Sequence, residues 1–491
     1  MTFAPSPFRE TPYAKKGLFY NYISKKAMKS RFSHSQKVSP RVLLLNAVKD
    51  DLEKRRHASL HEAVLASLHP EARSESAGRF WDIDVKIGNR PTVPLSRDIT
   101  ILELFDRIDG KLLILGGSGS GKTTTLLELA ESLMLRAESD PNSPIPILVN
   151  LATWRENEHA ISDWFFLQIQ HLYQIPVETS QALMNQKQLL PLLDGLDELE
   201  DYRQDFCIQL INEFAEGENA PVNIVVCSCF DSYKECETRL RLRAAIWLKP
   251  LTEPQIKTYL IAARSRELWY NLESDSNLLN CAKNALFLNI MTLAYEEILI
   301  ESWKRIDSTE GKIDYLLNAF IRRQISKEIP TKLYKKGKEP RPDKVRFWLI
   351  WLAKRMTQDG DREFSFDNIS LTWLQTRQQQ IMYFNGAKIL TGLIWGLITG
   401  IIVSLILGLW LGILAAIIAG GIIGNFVRID AIDNFTLLLV LWWHGYIPWN
   451  YHRFLNYASQ RLLLAEIGRD RYQFMHHILQ KHLVNMQLGS G

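Results

Sequence analysis

Residues 101–250 predict an α/β fold, a parallel sheet with helices on both faces, on three observations. Short apolar runs recur and end in small or polar residues, stretches of helical spacing separate them, and one run opens into a glycine-rich turn. Strands shielded by helices on both faces read as continuous apolar runs, and helix-strand alternation makes their sheet parallel. The composition suits such a chain: 491 residues, 46% hydrophobic and 23% charged, with a net charge of +4, describe an ordinary globular protein of several domains whose overall charge points to no partner.

The chain opens on a basic tail. Residues 1–40 hold Arg9, Lys15, Lys16, Lys25, Lys26, Lys29, Arg31 and Lys37 against a single acid, Glu10. A solvated, mobile tail is expected, with attraction to an anionic membrane surface or to nucleic acid as the other reading. No apolar h-region follows it, so no signal peptide is read. Residues 41–100 are expected to form a helical lead-in. The five cysteines (Cys207, Cys227, Cys229, Cys236, Cys281) form no CxxC pair and suit reduced thiols, which places the soluble part in the cytoplasm.

The first strand of the sheet is the run Leu112 to Leu115, which meets Gly116, Gly117, Ser118, Gly119, Ser120, Gly121, Lys122, Thr123 and Thr124 before helical spacing begins. This is G-x-x-x-x-G-K-[ST], the Walker A motif of a P-loop NTPase. Its glycines permit the turn that aims backbone N–H groups inward, and the new helix presents its positive end to phosphate. Lys122 reaches the β and γ oxygens of ATP, or the β oxygens of ADP, and the Thr123 hydroxyl ligates Mg²⁺. "PIPILVNLATW" (Pro144 to Trp154) is the next strand, followed by a helix over Ile161 to Tyr173.

The run "LLPLLDGLDELE" (Leu189 to Glu200) ends in four carboxylates, a cluster that repels itself unless solvated or gathered around a cation. Asp194, at the end of its own apolar run, is placed to hold Mg²⁺ through water, and Gly195 keeps the turn small. Asp197 or Glu198 would then position or deprotonate the water that attacks the γ-phosphate. Glu200 and Asp201 read as the solvated start of a helix over Tyr202 to Ala215, favoured there by the helix dipole. "PVNIVVCSCF" (Pro221 to Phe230) completes the alternation.

Together "LLILGGSGSGKTTTLLELA", "ILVNLATW", "LLPLLDGLDELE", "VVCSCFDSY" and "IWLKPLTEPQIKTYL" resemble the NACHT family of signalling NTPases, of the STAND class and the bacterial, cyanobacterial type, and the D-G-x-D-E form of the acidic motif is the most diagnostic piece. The resemblance implies a switch locked by ADP and opened, with self-association, when ATP replaces it. It implies a helical domain (251–329, with "CAKNALFLNIMTLAYE" over the base), then a winged-helix domain (435–486) whose histidine, here His476, touches the β-phosphate. Two positions depart from the pattern. Ser228 is followed by Cys229 where the family has an arginine that senses the γ-phosphate, and a thiol cannot supply a guanidinium fork; a weak ATPase is therefore expected. Ala285 follows Asn284 where a proline is usual, which would loosen the base pocket.

From Ile389 to Val427 the chain carries no charged residue, between Lys388 and Arg428. One crossing of a bilayer needs about 20 residues, so the run allows two. An even number keeps the P-loop and His476 on one side, with both flanking cations cytoplasmic. A transmembrane hairpin over 389–427, in contact with lipid and turning near Gly408, is predicted. Gly392, Gly396, Gly400, Gly408 and Gly412, spaced every four residues within each arm, would let helices approach closely, between subunits as one option. "PTKLYKKGKEPRPDK" (Pro330 to Lys344) reads as a linker, "VRFWLIWLAKRM" (Val345 to Met356) as a packed amphipathic helix and Phe435 to Trp443 as the first helix of the winged domain.

The function expected is a membrane-attached, nucleotide-controlled signalling switch in stress signalling or phage defence. A scaffold that binds nucleotide without hydrolysing it is the alternative. A transport ATPase is disfavoured because the apolar run holds no ionisable group. Nothing in the sequence points to nucleic acid as a partner of the winged helix, and no repeat or effector identifies a trigger ligand or an output.

Overall fold

The computed structural model describes residues 39–65, 82–88, 90–155, 160–217, 220–327, 329, 333–335, 337–366, 369–427, 429–468 and 470–487. The basic tail, apart from Ser39 and Pro40, lies outside these residues, as do Arg428 and part of the expected linker. Seven strands, β1 (Ile83–Ile87), β2 (Val93–Pro94), β3 (Lys111–Gly116), β4 (Ile145–Asn150), β5 (Leu189–Asp194), β6 (Ile224–Cys229) and β7 (Ala244–Leu248), form one sheet in the order β2-β1-β7-β3-β6-β5-β4. The five from β7 to β4 are parallel, and their apolar residues are buried almost throughout because helices cover both faces.

Strands β1 and β2 correct the expected lead-in. Residues 41–100 are helical in α1 (Pro40–His57) and α2 (Leu60–Leu65), but then add an antiparallel edge to the sheet, β1 pairing with β7 and β2 with β1. Ile83 and Val85 alternate inward along β1, the two-residue period of a strand with one covered face.

Helices α3 (Ile101–Arg107), α4 (Lys122–Ser139), α5 (Ile161–Tyr173), α6 (Val177–Asn185), α7 (Asp201–Glu216) and α8 (Phe230–Glu235) connect the strands. β3 sits between β7 and β6, and β6 separates it from β5, so the carboxyl ends of β3 and β5 flank a crevice at the sheet's upper edge. Six helices follow, α9 (Glu253–Ala262), α10 (Arg266–Ser274), α11 (Ser276–Ala282), α12 (Ala285–Ala294), α13 (Ile300–Lys304) and α14 (Thr309–Ser326).

The C-terminal module takes in more of the chain than 435–486. It consists of α15 (Pro342–Asp359), β8 (Glu363–Ser365), α16 (Arg377–Leu407), α17 (Leu409–Phe426), α18 (Asp430–Trp443), α19 (Tyr451–Gln460), β9 (Leu464–Ile467), β10 (Arg471–Phe474) and α20 (His477–Asn485). β8, from the stretch expected to be linker and helix, joins the antiparallel sheet β8-β10-β9, with Tyr472 opposite Phe364. The apolar helices α16 and α17 are thus inserted between one strand of this sheet and the helices that lead to the other two.

The hairpin turns at Gly408, whose φ of 95° is the left-handed backbone that glycine tolerates best. A Cβ at Gly392 would stand 2.6 Å from the Gly420 carbonyl oxygen, and one at Gly420 would stand 2.7 Å from that of Gly392. The glycine face of one arm therefore meets the small-residue face of the other within a single chain, and Gly392, Gly396, Gly400 and Gly412 all make this approach inside the hairpin. Large side chains point away: Leu405, Trp410 and Phe426 are each 83% exposed.

Polar contacts clamp this module onto the rest. Asp51 of α1, 2% exposed, accepts bonds from the Gly468 amide (2.6 Å), the Tyr173 hydroxyl (3.0 Å) and Arg55 Nε (2.9 Å). Arg461 donates to the carbonyls of Gln324, Ile325 and Lys327 and so closes the carboxyl end of α14. His482 lies 2.7 Å from Asp314 of the same helix. All five cysteines are free.

Candidate functional site: a cavity roofed by three modules

The P-loop turns directly into α4, so the first amides of that helix face the crevice. Gly119 takes a φ of 75° and lies so close to α12 that a Cβ there would stand 2.7 Å from Asn284 Oδ1. Only glycine admits this approach, and two bonds use it: Asn284 Nδ2 donates to the Ser118 carbonyl (2.7 Å), and the Leu286 amide donates to that of Gly119 (3.0 Å). Asn284 also caps α12, which holds the helical region against the phosphate loop.

Lys122 Nζ donates to the carbonyls of Gly116 (3.2 Å) and Gly117 (3.1 Å), an ammonium parked on its own loop. Thr123 Oγ1 donates to Asp194 Oδ2 at 2.7 Å, and the Gly195 amide donates to Oδ1 at 3.0 Å. Burial pushes the Asp194 carboxyl above its ordinary range, with Asp197 adding to the push and Thr123 and Lys122 opposing it. A divalent cation between Thr123 and Asp194 would relieve that burden, so the donor set fits Mg²⁺. Among the described residues no three His, Cys, Asp or Glu side chains gather as a metal cage, so phosphate and water would fill the other positions.

Asp197 and Glu198 lie on the one-turn helix after Gly195 and face the same cavity. Burial pushes the Glu198 carboxyl up to about 7; Arg362 opposes this, Asp194 and Asp197 reinforce it, and a hydrogen bond from Asn150 opposes it. Glu200 is the N-cap of α7 and Asp201 its first residue, both exposed. Asn150 ends β4 directly opposite Asp194 on β5.

The structure brings Ser118, Gly119, Gly121, Lys122, Thr123, Thr124, Asp194, Asp197, Glu198 and His476 into one cavity. Gly116, Gly117 and Ser120 of the same loop, and Cys229, the N-cap of α8, do not line it. The far wall is apolar and aromatic, with Leu60, His61, Leu251, Tyr259 and Leu286, and Tyr259 is held by Asn289 at 2.5 Å. Ala285 is part of this wall.

His476 lines the cavity as expected, but its neighbour makes the direct contact: His477 Nε2 lies 3.2 Å from the Ser118 hydroxyl, and its Nδ1 lies 4.0 Å from Glu198. Burial drives His477 down to about 4, with the Arg362 charge adding to it, and drives His476 well below the usual range, so both rings are neutral at pH 7. His476 Nδ1 accepts the Ile478 amide at 3.2 Å, which leaves Nε2 of the neutral ring as a donor. Arg362, on the turn before β8, completes this side, 3.8 Å from Glu198 Oε2. Sequence reasoning missed His477, Asn150 and Arg362; only the doubled histidine was a local signal.

Residues 111–267 match the profile of the NACHT domain. No curated protein matches the chain. Among solved structures it is similar to Cdc6p from Pyrobaculum aerophilum, at 10% identity over 81% of this chain and 96% of that one, with a TM-score of 0.28. It is also similar to the Orc1 protein of Aeropyrum pernix solved in complex with DNA, at 16% identity over 54% of this chain and 70% of that one, with a TM-score of 0.26. Both likenesses are too loose to place this chain's modules.

Proposed function

Because residues 111–267 are a NACHT domain, a P-loop NTPase, we propose that the chain binds nucleotide and is a membrane-attached signalling switch, resting with ADP and active with ATP. The observation that carries this reading is the composition of one cavity. Lys122 and Thr123 of the P-loop, Ala285 and Leu286 of the helical region, and Arg362, His476 and His477 of the C-terminal module all line it. A ligand there touches three modules at once, so its phosphate count can bias their docking, by as much as its affinities for the docked and undocked states differ.

Each residue has a task in this reading. Lys122 leaves the carbonyls of Gly116 and Gly117 for the phosphate oxygens. Thr123 and Asp194 hold Mg²⁺, which when bound neutralises phosphate charge. The neutral His476 donates to the β-phosphate, and Glu198 or Asp197 orients the attacking water and takes its proton. The order α15-β8-α18-α19-β9-β10, with β8 beside the β9-β10 hairpin, supports a winged-helix reading of the C-terminal module. β6 ends in a thiol outside the cavity, so that strand brings no cation to the γ-phosphate; slow hydrolysis is expected, and a non-hydrolysing scaffold is the second reading.

The hairpin supports attachment to lipid. Its two arms are long and apolar enough to cross a bilayer, and their outer faces are unshielded. Stress signalling or phage defence, with self-association on activation, is the setting the family resemblance suggests. The test uses the full-length chain in detergent: affinities for ADP and a non-hydrolysable ATP analogue, with Lys122→Ala as control, and oligomeric size by light scattering in each state. The reading expects binding that is lost in Lys122→Ala and a larger particle with the ATP analogue. Binding that is equal in both proteins, or a size that is the same with either nucleotide, would overturn it.

A further inference from the structure

Arg362 is built into the cavity from both sides of its turn. The residue before it, Asp361, is ion-paired with Arg155 of the NTPase core, and the residue after it, Glu363, is 6% exposed and paired with Arg471 at 3.2 Å. Its backbone is therefore pinned where the C-terminal module meets the core. The guanidinium is less settled. Its ion-pair partner is Glu198, and the 3.8 Å separation is longer than the roughly 2.8 Å of a charge-assisted hydrogen bond. Glu198 is a weakened counter-charge as well, because burial pushes its carboxyl up to about 7. Five N–H donors thus stand in a phosphate-binding cavity with no strong acceptor recorded for them among the described residues.

Two other cations line the cavity among the described residues: Arg55, committed to Asp51 at 2.9 Å, and Lys122, a point charge placed at the P-loop end. A third phosphate would bring further negative charge toward Asp194, Asp197 and Glu198, which already repel one another. A planar guanidinium on the far side of Glu198 answers that conflict, since it binds phosphate oxygens in a fork and releases a carboxylate it holds only loosely.

We propose that Arg362 distinguishes a nucleoside triphosphate from a diphosphate in this site: its guanidinium leaves Glu198 for the terminal phosphate and ties the nucleotide to the turn that docks the C-terminal module. The proposal rests on the nucleotide-switch reading above and adds to it the residue that reads the extra phosphate. Arg362 is the partner of Glu198 in the diphosphate state and a ligand of the nucleotide in the triphosphate state. Because it belongs to the C-terminal module, the identity of the nucleotide is sensed across the interface that opens.

The test measures affinities for ADP and a non-hydrolysable ATP analogue on the full-length chain in detergent, for the wild type, Lys122→Ala, Arg362→Ala, Arg362→Lys and Arg362→Ala with Glu198→Gln. Arg362→Ala should lower the ratio of triphosphate to diphosphate affinity by about ten- to a hundredfold, the range of one charge-assisted contact. Arg362→Lys should recover part of it, and Glu198→Gln should not restore it. An unchanged ratio in Arg362→Ala overturns the proposal, as does a ratio restored by Glu198→Gln, which would make the arginine only a counter-charge for the carboxylate. If Lys122→Ala binds like the wild type, the nucleotide-switch reading itself fails, and the proposal with it. Loss of triphosphate preference in the lysine variant is readable even if the alanine variant does not fold.

Discussion

Replacing Asp51 with alanine should loosen the C-terminal module far more than the size of the change suggests. The carboxylate is buried and accepts three bonds, of which two, from Tyr173 and Arg55, stay within the NTPase half and one, from the Gly468 amide at 2.6 Å, crosses to the C-terminal module. Removing one member of a buried ion pair strands the other, and Arg55 would be left with a single long bond, to the Leu148 carbonyl at 3.5 Å. Such losses cost about 3–5 kcal/mol of global stability. The part that crosses the interface is smaller, about 1.5–3 kcal/mol for one hydrogen bond to a charged group. That shifts the docking equilibrium by roughly 10- to 150-fold. Hydrogen exchange at the amides of β9 and β10, together with the dissociation rate of fluorescent ADP, would read the interface. Chemical denaturation would read the whole. Asp51→Asn, which keeps an acceptor for Gly468, should fall between alanine and the wild type. Should Asp51→Ala lose stability while exchange at β9 and β10 and the ADP off-rate stay at wild-type values, the bond to Gly468 does not hold the module down.

Four further outcomes are expected. Hydrolysis should rise with pH through about 7, because Glu198 must be ionised to accept a proton, and Glu198→Gln should flatten the profile of steady-state phosphate release. The stability effect of the same group runs the other way: its folded pKa lies above the unfolded value, so the protonated carboxyl stabilises the fold at low pH, and that contribution is lost as pH rises from about 4.5 through about 7. Gly392→Ala should lower the thermal midpoint in detergent, by an overpacking cost of about 1–3 kcal/mol, because its Cβ meets the Gly420 carbonyl. Gly421→Ala, whose Cβ meets nothing within 4 Å, should leave that midpoint unchanged or higher.

The sheet was legible because its five parallel strands are covered on both faces, so each appears as an uninterrupted apolar run. The P-loop and the acids after β5 were legible for a chemical reason: phosphate and magnesium need particular groups at particular places, and those groups lie next to one another in the chain. The hairpin announced itself by the absence of charge. What escaped were the pairings between distant segments. β8 has three residues in a polar stretch, and nothing near it says that its partner is β10 at the far end of the chain. Arg362 reads locally as one more surface arginine, and only the docking of β8 brings it to Glu198. The glycine repeat signalled close approach correctly, but a repeat cannot name its partner, which proved to be the other arm of the same hairpin.

The point of insertion of α16 and α17 decides which half of the molecule is the stator. Both ends of the hairpin belong to the C-terminal module, one following β8 and the other leading into α18, and among the described residues the NTPase region contributes no helix long and apolar enough to cross a membrane. With those helices fixed in lipid, as proposed, the C-terminal module becomes the stationary frame. Release of its contacts to Asp51 and Ser118 would then swing the NTPase core as the rotor, free to sweep the face of the membrane on which it lies.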